Sequence, residues 1–435
     1  MSTILHSIFS VQKGKCRFNL KLSIITLVAF VVLSVTQFGM AAEVRNIILL
    51  IGDGMSTNQL ESARIVKGAP LIVDALPVRH RAFNASADNA VTDSAAAATA
   101  LATGERTNNG MIAVSPEGRN LRTVLQVAKD VGKRTGVVTT DAIHGATPGA
   151  FLANTASRSS STIITEQAVF VSQPDVLLGG GMTAFNEIGA LERLGSTDYT
   201  FVQTREQLLA WQPDGKPLLG LFATGAFAFA VERRATEPHL AEMVQVALNA
   251  LANDDAGFFL MVESARIDSA GHSNLIRQSV YETLAFEEAI QVALEFAEKN
   301  PDTLVIITAD HETGGLMAVP DASPQVMSKG VDVVTREIVT ALNANPQADL
   351  RSLFAQYAGI SHVESQAIQG TVSEFVSGVL STRSFYYTTG GHTDLPVHVF
   401  AQGPEAEQLL SVNHLTDIGK LLHKWVQEGN GGHRP

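Results

Sequence analysis

The stretch Asn46-Ile47-Ile48-Leu49-Leu50-Ile51-Gly52-Asp53 sets the terms on which the rest of the chain is read. Five consecutive aliphatic side chains place apolar groups on both faces of an extended strand, as suits a strand covered by helices on either side. The run ends in a glycine and an acid, so a carboxylate stands at the strand's carboxyl end. The pattern recurs twice: Phe258-Phe259-Leu260-Met261-Val262 runs into Glu263, and Leu304-Val305-Ile306-Ile307-Thr308-Ala309 runs into Asp310. Further β-rich runs lie at 135–140, 218–222 and 397–401, with helical patterns between them at 95–101, 121–130, 240–252, 278–299 and 418–427. This alternation predicts an α/β, doubly wound three-layer sandwich around a mostly parallel central sheet.

One stretch breaks the rhythm. From 315 to 389 turn residues mix with helix-like pieces near 336–342 and 372–380. It reads as an inserted, crown-like segment that leaves the sheet after one strand and returns before the last, with Gly390-Gly391-His392 marking the return. The other reading is a plain continuation of the core.

The chain has 435 residues, 45% of them hydrophobic and 17% charged, which excludes a disordered protein. Residues 1–42 read as an export signal: Lys13, Lys15, Arg17 and Lys21 lead into an apolar run, Leu22 to Val35, and Gly39-Met40-Ala41-Ala42 offers small residues for cleavage. The mature unit is then 43–435, periplasmic or secreted. Loss of those four cations moves the formal charge from −12 to −16, which argues against nucleic acid or an anionic membrane as partner. A phosphate site on such a chain requires local cations. The single cysteine, Cys16, lies within the leader, so a mature chain has no thiol and would hold metals with His and carboxylate.

Ligands and catalytic groups gather beyond the carboxyl ends of strands in an open parallel sheet. Taken singly, Asp53, Glu263 and Asp310 each read as a helix N-cap. Three together repel one another unless a cation neutralises them. Histidine strengthens the metal reading: His311 follows Asp310, Asp268 and His272 stand four apart on one helical face, and His392 sits in Thr388-Thr389-Gly390-Gly391-His392-Thr393-Asp394. Asp and His without sulfur suit Zn²⁺, and a carboxylate- and hydroxyl-rich corner suits Mg²⁺. His80, His239, His362, His398, His414, His423 and His433 lack such company and read as surface or core residues. Ser94, in Val91-Thr92-Asp93-Ser94-Ala95-Ala96, opens a helix whose unpaired N–H groups suit a phosphate; locally, Asp93 or Ser94 could equally be a cap.

Together these segments resemble the alkaline phosphatase family over nearly the whole mature chain. The carriers are Gly52-Asp53-Gly54, Asp93-Ser94-Ala95, Ala146-Thr147-Pro148, Ser157-Arg158, Glu263 through Ile267-Asp268 to His272, Asp310-His311-Glu312-Thr313-Gly314-Gly315, and Gly391-His392-Thr393. The resemblance implies a phosphomonoesterase with two Zn²⁺ and one Mg²⁺, acting through a phosphoserine on Ser94. It implies one zinc on Asp268, His272 and His392, and a second on Asp53, Asp310, His311 and the Ser94 oxygen. Asp53 would bridge to magnesium on Thr147 and Glu263, Arg158 would grip phosphate, and the protein would be a homodimer. Two positions depart from the family pattern. Gly145 stands where many relatives have His or Asp, with His144 one residue earlier, and Ser269 stands where some carry Lys or Trp. The alternatives are a diesterase or sulfatase of the same superfamily, and a non-catalytic phosphate-binding protein. A sulfatase needs a modified Cys or Ser followed by Pro and Arg, whereas alanines follow Ser94.

Overall fold

Strand β1 (Asn46–Gly52) is buried at every residue, as its unbroken apolar run requires. The structure, a computed structural model, describes residues 43–252, 254–361 and 370–428. The expected export leader lies outside them, as do His362 and His433.

The other strands in chain order are β2 (Val78–Ala82), β3 (Arg134–Ala142), β4 (Val176–Gly180), β5 (Thr200–Val202), β6 (Leu218–Leu221), β7 (Phe258–Ser264), β8 (Thr303–Thr308), β9 (Glu312–Thr313), β10 (Leu316–Met317), β11 (Tyr386–Tyr387), β12 (His392–Thr393) and β13 (Val397–Gln402). Nine of them form one sheet in the order β2-β13-β8-β1-β7-β3-β4-β6-β5. The two pairings of β13, with β2 and with β8, are antiparallel and the others are parallel, so the sheet is mostly parallel, as expected.

The helices that matter for the site are α1 (Thr57–Lys67), α2 (Ser94–Thr103), α3 (Ala146–Leu152), α4 (Leu240–Leu251), α5 (Arg266–His272), α6 (Ile276–Lys299) and α7 (Leu415–Glu428). Successive residues of a strand point to opposite faces. In β7, Phe258 meets Phe296 of α6 edge-on, while Phe259 stacks with Phe151 of α3, both fully buried. Helices therefore cover both faces of the sheet. On one, α4 packs against α6; on the other, α2 lies between α3 and α7.

The register aligns the strand ends. Ile51 of β1 is level with Glu263 of β7 and Thr308 of β8, and Thr139 of β3 is also level with Glu263. Asp53, Glu263 and Asp310 thus fall along one edge of the sheet. Past that edge the chain makes two short antiparallel ladders, β9 with β12 and β10 with β11. Between β10 and β11 lie the helices Pro324–Lys329, Val331–Ala344, Leu350–Ala358 and Val372–Ser381, which share an apolar cluster around Val334, Ile338, Phe354 and Val376. Among the described residues, no helix is long and apolar enough to cross a membrane.

Candidate metal centre

None of the three strand-end acids caps a helix. Ser56 precedes α1, and Ala265 precedes α5. The turn after β1 instead brings the chain against α5. Gly54 has φ +79°, and a Cβ there would stand 2.6 Å from the Asp268 Cα, so only glycine lets Asp53 and Asp268 approach across this turn. The Gly54 N–H donates to Asp310 Oδ1 (3.1 Å), which also accepts the His311 N–H (2.8 Å).

The other Asp310 oxygen, Oδ2, and Asp53 Oδ1 are buried without a hydrogen-bond partner, as is the Thr147 hydroxyl. Burial pushes the carboxyls of Asp53, Asp310 and Glu263 upward, to about 6 for Asp310 and about 8 for Glu263, and the neighbouring acids push them further. Asp268 differs. Burial opposes its charge too, but His392, His311, the Thr313 hydroxyl and His272 outweigh burial and hold it well below the usual carboxylate range.

The three histidines present their Nε2 atoms inward, and their hydrogen bonds fix the tautomer of each. His272 Nδ1 lies 2.7 Å from the Gly390 carbonyl and His392 Nδ1 lies 2.9 Å from the Thr92 carbonyl. A carbonyl only accepts, so both Nδ1 atoms carry a proton, and in the neutral rings both Nε2 atoms hold lone pairs. Those two Nε2 atoms are 3.2 Å apart. His311 reaches the same state by a longer route. The Thr313 hydroxyl donates to Asp268 Oδ1 (2.6 Å), so it can only accept from His311 Nδ1–H (3.2 Å). The His311 Nε2 lone pair then faces Ser94 Oγ at 3.0 Å, Asp310 Oδ2 at 3.2 Å and Asp53 Oδ1 at 3.6 Å.

Opposed lone pairs, orphaned carboxylate oxygens and a buried unpartnered hydroxyl are the arrangement a set of divalent cations resolves. Asp53, Asp310 and His311 offer ligand atoms within 4.8 Å of one another, and so do Asp268, His311 and His392. His272 joins the second group, its Nε2 3.3 Å from Asp268 Oδ1. The donor set fits zinc at the imidazoles and a harder ion at Asp53, Thr147 and Glu263.

Ser94 is the first residue of α2, and the cap is Asp93, whose Oδ1 accepts the Ala96 N–H at 2.9 Å. Asp93 Oδ2 accepts from the Gly110 N–H (2.9 Å) and from Arg158 Nη1 (3.0 Å). One acid therefore ends the helix and aims the guanidinium, and it frees the Ser94 hydroxyl to point at His311. Arg158 keeps 40% of its side chain exposed, whereas Ser94 is buried, so the opening lies on the arginine side.

His392 reaches the site from 80 residues beyond Glu312 because the β9–β12 ladder sets it opposite Thr313. Glu312 is structural: its carboxylate accepts from Gln59 Nε2, the Gly315 and Leu316 N–H groups and the Thr393 hydroxyl. His144 lies against Gly181 and joins neither metal group. Ser269 accepts from Arg266 Nη1 at 2.9 Å, so a cation already stands at that position. The residue missed by sequence reasoning is Thr313. It sits inside a quoted motif, but its role depends on two partners that only the fold brings together. His80, His239, His398, His414 and His423 lie in neither group.

Residues 44–427 match the family model described as alkaline phosphatase. Alkaline phosphatase 3 of Bacillus subtilis (strain 168) is 34% identical over 415 residues, covering 88% of this chain and 89% of that protein. Among solved structures, the cold-active alkaline phosphatase of a psychrophilic Shewanella superposes with a TM-score of 0.74 at 29% identity, over 88% of this chain and 99% of that one. A TAB5 alkaline phosphatase variant superposes with a TM-score of 0.71 at 25% identity, over 89% and 99%.

Proposed function

The chain belongs to the alkaline phosphatase family of metal-dependent phosphoric monoester hydrolases, and on that premise we propose that Ser94 is the nucleophile in a two-zinc and one-magnesium centre. The observation that carries this reading is the orientation of Ser94. Its hydroxyl lies 3.0 Å from His311 Nε2, and the cap duty that would otherwise occupy it falls to Asp93.

Asp268, His272 and His392 would hold one zinc, and Asp53, Asp310, His311 and Ser94 the other, with magnesium on Asp53, Thr147 and Glu263. The magnesium assignment draws support from the TAB5 variant, which is solved with Mg bound in its M3 site. When bound, these ions neutralise the phosphate and lower the pKa of the serine hydroxyl. The protein's own part is placement. Arg158, aimed by Asp93, presents two N–H groups to two phosphate oxygens, a match its planar fork makes better than lysine would. Ser94 Oγ then attacks phosphorus in line, forming a phosphoserine as the P–O bond to the alcohol breaks. Water attacks that phosphoserine in turn, and the new P–O bond forms as Ser94 leaves and regains its proton. Both steps gather negative charge on oxygens that Arg158 faces.

We also propose that residues 43–435 form one catalytic unit with an insertion at 315–389, and that residues 1–42 direct export to the periplasm or beyond. A homodimeric protein rests on the family resemblance alone.

Hydrolysis of p-nitrophenyl phosphate, with zinc and magnesium supplied, tests the whole reading. Turnover should fall by roughly a thousandfold or more in Ser94→Ala while inorganic phosphate still binds. The bis(p-nitrophenyl) ester should be a far poorer substrate. A wild type inert toward the monoester, or a Ser94→Ala variant that still turns over, would overturn it.

A further inference from the structure

The longest of the described helices begins without a cap. α6 spans 24 residues, and the residue before it is Leu275, whose side chain offers no acceptor. Its first turn carries no acid either. The first N–H groups of a helix have no partner within it, and they form the positive end of its dipole. Most helices answer this with Ser, Thr, Asp or Asn at the cap. Here the first turn, Ile276, Arg277 and Gln278, borders a cavity of about 640 Å³ instead.

The inserted segment supplies another wall of this cavity, through Ser384, Phe385 and Tyr386. Ser384 is 1% exposed, and its hydroxyl is buried without a hydrogen-bond partner. A buried hydroxyl left unpaired costs free energy, so it marks a place where a polar group belongs. Tyr386 is half exposed and lends the cavity an aromatic surface.

The charged side chains around the cavity are not equivalent. Glu232 accepts from Gln278 Nε2 at 3.2 Å, and Asp332 stands 4.0 Å from Arg336 Nη2. Lys329 Nζ is held by Glu337 at 2.8 Å. Arg277 has no acid as partner among the described residues: its Nε donates to the Ser328 carbonyl at 3.1 Å, which steadies the guanidinium and leaves both Nη groups to other acceptors. Uncapped helix N–H groups, a guanidinium without a carboxylate and an unpaired hydroxyl are the donors that bind an oxyanion.

We propose that this cavity binds a phosphate group, free or carried on a small organic body, at a site separate from the metal centre. None of the acids and histidines of the two metal groups borders it, so its donors act without a metal. Asn274, two residues past His272, does border it, which sets the site beside the centre that would release phosphate. The volume leaves room for a body lying against Phe385 and Tyr386.

Equilibrium dialysis of the metal-loaded protein against radiolabelled phosphate counts the sites. The wild type should hold two phosphates per chain; Arg158→Ala should weaken one, and Arg277→Ala should remove the other while hydrolysing p-nitrophenyl phosphate at the wild-type kcat. Ser384→Ala deletes a hydroxyl that no protein group pairs with, so the melting temperature should hold while the Arg277-dependent phosphate weakens by about tenfold or more. Phenylphosphonate, which has no ester bond to hydrolyse, separates the two sources. Tighter binding than phosphate at the Arg277-dependent site assigns that site to an ester, and equal binding assigns it to the free ion. One phosphate per chain, weakened by Arg158→Ala and untouched by Arg277→Ala, would sink the cavity site and leave the catalytic reading standing. One phosphate that only Arg277→Ala removes would do the reverse. Loss of turnover in Arg277→Ala together with its phosphate would make the cavity part of the catalytic centre, and the proposal of a separate site fails.

Discussion

Thr313 carries more of the site than its sequence suggests. Its hydroxyl donates to Asp268 Oδ1 and accepts from His311 Nδ1–H, so one side chain ties Asp268 to the histidine common to both candidate metal groups. Thr313→Val is close to isosteric but leaves a buried imidazole N–H without an acceptor. We expect kcat/KM and zinc affinity each to fall by about 10- to 100-fold, the range typical when a ligand loses its supporting hydrogen bond. Steady-state kinetics and zinc competition against a chelator would measure both, with Thr313→Ser recovering most of the loss; an unchanged zinc affinity would confine Thr313 to packing. At this scale the sequence was legible where the geometry is local. Asp268 and His272, four apart, share a face of α5 as the helical period requires. It was silent where a role needs distant partners. Nothing in Asp310–Gly315 announces that Thr313 bridges two ligands, and local pattern left open whether Asp93 or Ser94 caps α2. The structure separates them by one residue, and the cap residue is also the one that holds Arg158.

Among the elements, those that bury both faces were legible and those at the edges were not. β1, β7 and β8 announce themselves by unbroken apolar runs, and each is fully buried. β2 was missed because Arg79, His80 and Arg81 dominate a five-residue strand, with only its two terminal residues buried. β4 was missed because it ends in two glycines that read as a turn, and β5 because three residues give no period. The long helix α6 raises a separate matter. Glu282, in its second turn, is 1% exposed and accepts the Ala230 N–H at 2.6 Å. Burial raises its carboxyl to about 7 from an ordinary 4.5, with Arg233 and the Ala230 N–H opposing the rise. The folded state therefore binds more protons than the unfolded state between pH 4.5 and 7, so stability falls as pH rises through that window. Glu282→Gln keeps an acceptor for Ala230 and removes the titration. Relative to wild type it should gain up to about 3 kcal/mol above pH 7 and nothing below pH 4.5. Urea unfolding of the metal-loaded proteins at pH 4.5 and 8 would show it, and a gap independent of pH would count against a buried ionising Glu282.

For the molecule as a whole, the question is how an acidic chain tolerates so many acids at one point. The full chain carries a formal charge of −12, so its long-range field repels a phosphate ester and offers the buried carboxylates no relief. Asp53, Glu263, Asp268 and Asp310 converge at one edge of the sheet; histidines and the Thr313 hydroxyl relieve Asp268, and the three whose carboxyls are raised are relieved by metal ions or protons. The two compete, because a protonated carboxyl holds a cation poorly. After chelation the protons are left alone to neutralise the cluster. Asp310, raised to about 6, and Glu263, raised to about 8, keep their protons at pH 5.5 and give them up by pH 9. For acids whose folded pKa is raised, stability is lost as pH rises through those values. Chelation should therefore lower the melting temperature far more at pH 9 than at pH 5.5, and added zinc and magnesium should restore it at both. Scanning calorimetry with and without EDTA at the two pH values measures this directly. Equal losses at both would mean that protons on these acids do not take the place of the metals, and that the raised carboxyls of Asp310 and Glu263 do not govern the stability of the chelated protein.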